Sequence, residues 1–381
     1  MRRIVHVLAG AGLAAAVGAG APLAVGTAGA QGPPSEGPSA VVFVQNDNPA
    51  GNQVVAYDRA PTGTLSLSAV YPTGGDGGVL QGSAVDHLAS QGSLQYDAAD
   101  HLLYAVNAGS NTVSVFSVSG DSLALRQIVP SGGTFPNSIA VRGDLVYVLN
   151  ARDGGSVSGY RAAGGTLHRI EGSVRGLGLT TPTDTTEFTH TPGQVAFSPD
   201  GRQLLVTTKA ASTSVDVFSV TPSGRLSAAP VVNQEPTTVP FAISFDAAGR
   251  ALVVEAGPNA VADFTLGADG SLTPVASLAT GQAASCWIAS AQGVFFVSNA
   301  GSATLSGVAE ATTGGLSLIG NTSTDKGTVD AAPSAGGQFL YVQTGLSGTV
   351  DEFQVTSDGS LNEIGSVAVP NGAGGEGIVA F

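Results

Sequence analysis

Residues Gly92–Val118 read GSLQYDAADHLLYAVNAGSNTVSVFSV, and this stretch decides the fold. It divides into SLQYD, HLLYAVN and TVSVFSV, three short runs rich in apolar, aromatic and β-branched residues. Between them stand turn formers, whose side chains bond their own backbone or tolerate positive φ. Runs of this length are too short for stable helices and suit strands. The plan recurs elsewhere. GQVAFSPDG, RQLLVTT and TSVDVFSV fall within 193–220, and FAISFDAAG, RALVVEA and AVADFTL follow from Phe241.

The third run of each unit ends on an apolar anchor. The anchors are Tyr57, Phe116, Tyr160, Phe218, Phe264, Val308 and Phe353, at spacings of 59, 44, 58, 46, 44 and 45. A period of 44–46 is that of a four-stranded propeller blade. The two long spacings carry insertions, at about 75–90 and 172–192. Innermost strands count independently, beginning at Ser93, Ser138, Gln194, Ala242, Trp287, Asp330 and Gly377. Both counts predict an all-β, seven-bladed β-propeller; a sandwich or solenoid accounts for neither. The run Val41–Val44 has no inner strand before it, and Gly377–Phe381 has no second strand after it. The C-terminal strand is therefore expected to pair with the N-terminal segment, closing the ring and removing two open edges.

The first 30 residues contain no acid, open with Arg2-Arg3, continue through Ala, Gly, Leu and Val, and end Ala28-Gly29-Ala30. This is the anatomy of a cleaved secretory signal peptide. The Gly-rich run is a poor membrane span. Residues 31–40 (QGPPSEGPSA) read as a linker and 41–381 as a single domain. The formal charge of −14 becomes more negative still without Arg2 and Arg3. Such a surface disfavours nucleic acid and anionic membranes and suits a secreted monomer. Cys286 is the only cysteine, which excludes an internal disulfide and a cysteine-based zinc cluster.

Both insertions lead into inner strands. In a propeller those loops share a face with the loops between strands two and three, so polar residues distant in sequence converge on one channel mouth. The expected ligand-binding residues are Asp86, His87, Asn137, Arg152, Gln194, Asp330 and Glu376. Asp330 and Glu376 could bind a cation, act as acid and base, or accept backbone N–H bonds from neighbouring blades. Cys286 beside Trp287 reads as a packed thiol. G-x-S-x-G, H-E-x-x-H and P-loop motifs are absent. No metal set and no cofactor is expected.

The runs HLLYAVNAGSNTVSVFSV, VAFSPDGRQLLVTT and FLYVQTG resemble repeats of the bacterial phosphogluconolactonase-type propellers, over nearly all of 41–381. The resemblance implies hydrolysis or formation of small lactone rings without a required metal. The chain departs from the family at its characteristic positions. Thr191-Pro192-Gly193 stands for His-Ala-His, with His190 one position earlier. Pro240-Phe241-Ala242 stands for Pro-Arg-His. Ala256-Gly257 stands for Asn-Glu, with Glu255 one position before.

Two functions follow. One is an exported lactone or ester hydrolase, with His190 or Glu255 as base and Lys209 as the electrophilic partner. The other is a non-catalytic extracellular propeller that binds a carbohydrate, cell-wall or protein ligand.

Overall fold

The computed structural model describes residues 40–311 and 315–381. The expected leader and all of the linker but Ala40 lie outside them. Seven antiparallel sheets form the blades, each with its inner strand at the channel. Blade 1 is Leu94–Asp97, Leu102–Asn107, Thr112–Ser119 and Ser122–Pro130. Blade 2 is Pro136–Arg142, Leu145–Asn150, Ser156–Ala163 and Thr166–Arg169, with the short strand Arg175–Gly176 added. Blade 3 spans Val195–Gln234, blade 4 Pro240–Ala279, blade 5 Ser285–Ser323 and blade 6 Thr328–Ala368. Blade 7 joins Ile378–Ala380 to Val41–Gln45, Gln53–Arg59 and Leu65–Pro72.

Inner strands begin within two residues of the positions read from sequence. The expected closure is present: Val42, Phe43 and Val44 pair with Ala380, Val379 and Ile378.

Burial explains the strand sequences. Second strands such as Leu102–Asn107 and Phe339–Thr344 are buried at every residue. Each lies between two neighbouring blades, so both its faces must be covered. Outer strands such as Leu272–Ala279 are mostly exposed. All seven anchors are at most 1% exposed, and burying each side chain contributes about 1.5–3 kcal/mol. In five blades the pairing of the third and fourth strands shifts register at the anchor, as at Val115/Phe116 and Glu352/Phe353. Such a bulge increases the local twist of the outer strands.

Apolar clusters fill each of the seven blade–blade seams. The cluster of Val41, Phe43, Leu103 and Phe116 joins blade 7 to blade 1, which completes the ring. Tyrosines add polar ties across seams. Tyr57 Oη donates to Ala368 O at 2.8 Å, and Tyr341 Oη donates to Gly63 O at 2.7 Å. No helix among the described residues is long and apolar enough to cross a membrane.

Candidate functional site

The two insertions meet on one face. The Phe188 N–H donates to Gln81 O at 3.3 Å, and the Gln81 N–H donates to Glu187 Oε2 at 2.7 Å. Loops between strands two and three reach up to hold them. Arg152 donates from Nε to Glu187 Oε1 at 2.6 Å and from Nη2 to Oε2 at 3.0 Å. Its guanidinium lies 4.4 Å from the centroid of the Phe135 ring. Lys209 is 1% exposed, and its Nζ donates to Ala89 O and Phe188 O, each at 2.6 Å. One lysine thus ties both insertions to blade 3.

Beneath this junction is a cavity of about 210 Å³. Phe188, Phe241, Trp287 and Val85 supply much of its wall, and Asp86 and Cys286 are among its few polar residues. Phe241 and Trp287 pack edge to face with centroids 5.0 Å apart. The Trp287 indole N–H donates to Ser90 O at 2.6 Å. Asp86 opens a tight turn and orients its carboxyl through that turn's own backbone. Oδ1 accepts from Leu88 N–H at 2.7 Å and Oδ2 from Ser90 N–H at 2.8 Å.

Burial dominates the electrostatics. It raises the Asp86 carboxyl above the usual range, against the Ser90 and Leu88 N–H bonds and the charge of Lys209. It pushes Lys209 down to about 7, although negative charge at Asp86 favours the ammonium. It pushes the Cys286 thiol up to about 12. Burial thus brings both groups toward neutrality, the range useful for acid–base chemistry.

Further carboxyls lie deeper in the ring. Glu376 is fully buried, and its Oε1 accepts N–H bonds from Gly92 at 2.7 Å and Ser93 at 3.3 Å. Its own N–H donates to Asp47 Oδ2 at 2.8 Å. Burial raises Asp47 to about 8. It also raises Asp330 and Glu376, the latter further through the neighbouring charges of Asp330, Asp86 and Asp47. Glu376 thus accepts backbone N–H bonds from the entry to blade 1, and Asp330 Oδ1 accepts the N–H of its own neighbour Ala331 at 2.9 Å. Among the described residues, no three His, Cys, Asp or Glu side chains are placed to hold a metal ion.

The other expected residues are dispersed. His190 is half-buried, and its Nδ1 contacts Thr189 Oγ1 at 2.9 Å and Thr186 O at 3.0 Å, within its own loop. Glu255 shares a strand face with Ala251 and Val253, which pack against blade 3. Burial, then the charge of Glu235, raises it to about 7. Neither residue lines the cavity, and no hydrogen bond joins either to Lys209. Asn137 Nδ2 donates to Pro192 O at 2.9 Å and holds the end of the second insertion. The His87 ring lies against Gly374, where a Cβ would come within 2.1 Å of it, and the glycine φ is +78°. Burial lowers the His87 imidazole against a hydrogen bond to the Asp47 backbone. Gln194 and Asp330 line a different cavity of about 340 Å³, with Gln91, Gln95 and Tyr96, among the far ends of the inner strands.

Sequence reasoning missed the aromatic wall. Its available signal was position: Phe188 stands two residues from His190, Trp287 stands beside Cys286, and Phe241 lies in Pro240-Phe241-Ala242, where the family has Pro-Arg-His.

Residues 41–178 match the model of the family described as lactonase, seven-bladed β-propeller. The resemblance read from the blades is thus borne out, as is the seven-bladed fold. Solved structures extend the likeness around the ring. A protein from Lactobacillus plantarum is 20% identical, with a TM-score of 0.71 over 90% of this chain and 99% of that one. The periplasmic gluconolactonase of Pseudomonas aeruginosa is 18% identical, with a TM-score of 0.69 over 90% and 98%. The virginiamycin B lyase of Staphylococcus aureus is 12% identical, with a TM-score of 0.52 over 76% and 87%. No curated protein matches the chain. At these identities the structural likeness carries the fold, and the activities in those names belong to those proteins.

Proposed function

We propose that this protein is an exported hydrolase that opens a small lactone or ester in the cavity beneath the two insertions. The observation that carries the reading is a single carboxyl, Asp86, fixed on the wall of a largely apolar cavity and favoured as the carboxylate by the charge of Lys209. Each Asp86 oxygen has lone pairs beyond the one its N–H bond uses. Asp86 takes a proton from a water as that water's oxygen attacks the ester carbonyl carbon. The tetrahedral intermediate collapses with cleavage of the C–O bond, and the leaving alkoxide takes the proton from Asp86. For a lactone the product is a hydroxy acid. Lys209 is a positioning residue: its charge favours the Asp86 carboxylate and its hydrogen bonds hold both insertions. The lactonase-family match and the gluconolactonase neighbour support this reaction class. The Arg2-Arg3 opening, the apolar run and Ala28-Gly29-Ala30 support export, and the acidic surface supports a monomer outside the cell.

A second reading, an extracellular propeller that binds its ligand without turnover, is favoured by one observation. Both Asp86 oxygens already accept backbone N–H bonds, which a purely structural aspartate would also do.

Acid release from a panel of lactones and esters, with and without chelator, separates the two. Asp86→Asn is expected to lower kcat by about a hundredfold or more. Lys209→Met is expected to move the rising limb of the pH–rate profile to higher pH, since it removes a charge that favours the carboxylate. If Asp86→Asn matches the wild type while His190→Ala or Glu255→Gln abolishes turnover, the chemistry belongs to those residues. No turnover of any substrate leaves the binding reading.

A further inference from the structure

We propose that the cavity selects an apolar ring, a small lactone or ester bearing a hydrocarbon substituent, and rejects polyhydroxylated and phosphorylated rings. The inference rests on the hydrolase reading for its reaction, and on the cavity wall for its selectivity. The wall is made by aromatic rings and by small apolar side chains such as Ala284 and Ala300. Its polar groups are already engaged. The Trp287 N–H is spent on Ser90 O, and the Ser83 hydroxyl is spent on Asp86 O. The two Asp86 oxygens hold Leu88 and Ser90, and their remaining lone pairs serve the attacking water. The Lys209 Nζ lies 5.3 Å from the Phe241 ring centroid and donates to two backbone carbonyls.

A ligand hydroxyl entering this cavity leaves water and finds few free partners. Each unpaired buried hydroxyl costs about tenfold or more in affinity, so a ring with several hydroxyls is excluded. A phosphate would meet no cation among the residues that line the cavity and would sit beside a carboxyl, which is worse. A hydrocarbon substituent instead gains the hydrophobic contribution of the surface it buries against Phe188, Phe241 and Trp287. The volume, about 210 Å³, admits one small molecule. It lies below the roughly 300 Å³ at which drug-sized pockets begin.

The test needs no turnover. Trp287 is the only tryptophan in the chain, so tryptophan fluorescence reports on this cavity. The full chain is titrated with a butyl-substituted γ-lactone, with a butyl-substituted cyclopentanone that cannot be hydrolysed, and with glucono-δ-lactone. Both butyl compounds are expected to change the emission saturably and to bind at least tenfold more tightly than the polyol. Ala300→Leu narrows the cavity and is expected to abolish the change while the thermal transition stays cooperative. Equal or tighter binding of glucono-δ-lactone overturns the proposal, as does an emission that none of the three compounds alters. The two readings fail separately. Binding of the butyl compounds without acid release defeats the hydrolase and leaves the selectivity standing. Turnover that prefers glucono-δ-lactone defeats the selectivity and leaves the hydrolase.

Discussion

Arg152 and Glu187 form a two-pronged ion pair, 2.6 and 3.0 Å, that ties a blade 2 loop to the second insertion. Burial alone would raise the Glu187 carboxyl. Hydrogen bonds from Arg152 and the Gln81 N–H, together with the Arg152 charge, reverse this and hold it below its usual value. Glu187 is largely buried while the Arg152 side chain is 35% exposed, so solvent screens part of the attraction. Glu187→Gln keeps the shape and removes the charge. It is expected to cost about 1–2 kcal/mol, a value typical of a charge-assisted bond that is partly screened. The exposed stretch 183–186 should then become a site of cleavage by a non-specific protease. A double-mutant cycle with Arg152→Ala measures the coupling, and a value near zero makes the pair incidental.

The closing strand gives a sharper test. Val41–Gln45 is buried at every residue, and one of its edges is covered by residues 377–381. Removing residues 377–381 leaves an apolar strand with unpaired N–H and C=O groups, the pattern that recruits other chains. The truncated protein is expected to melt about 10 °C or more below the parent and to run as oligomers on size-exclusion chromatography. A monomer with an unchanged transition would mean that the last strand is dispensable.

This closure was readable in advance because a blade is a local object. Tyr57, Phe116 and the other anchors recur at the length of four strands and their turns, and each is buried between blades in the same way. The meeting of the two insertions was readable for the same reason, since propeller geometry assigns both to one face. The cavity was not. Its wall takes Phe188 from an insertion, Phe241 from blade 4 and Trp287 from blade 5, and no spacing in the chain relates them. Polar residues on the same face, such as Glu255 and His190, carry a stronger sequence signal without lining the cavity. The Glu255 loop lies on the expected face, yet strand alternation turns its side chain to the seam with blade 3. The His190 ring bonds within the loop that carries it.

The buried acids make stability depend on pH in an unusual direction. Asp47 rises to about 8 and Glu255 to about 7 in the fold, and Asp86, Asp330 and Glu376 are also raised by burial. Their unfolded values are near 4. Between pH 4 and 8 the native state therefore holds more protons than the unfolded chain, and stability falls as pH rises. Lys209, lowered to about 7, acts in the opposite sense above that pH, because there the unfolded chain binds the extra proton. The protein is expected to melt several degrees higher at pH 5 than at pH 8, and the raised Cys286 thiol and tyrosine hydroxyls offset the Lys209 contribution toward pH 10. Asp47→Asn should narrow the gap. A melting temperature that climbs from pH 5 to pH 8 contradicts the account.

Cys286 offers a probe of the cavity that is independent of fluorescence. Its thiol is pushed up to about 12, first by burial and further by the Asp86 charge, against the opposing effect of Lys209. The thiolate is the reactive form, and a thiol pushed this far up holds very little of it near pH 8. Alkylation by iodoacetamide is therefore expected to be slow in the native protein and to reach the rate of a free cysteine in denaturant. Because Cys286 lines the cavity, a saturating apolar ligand should slow the native reaction further. Mass spectrometry of timed samples follows both effects. Rapid labelling of the native protein would show an activated thiol in place of a packed one, and labelling indifferent to ligand would place the ligand elsewhere.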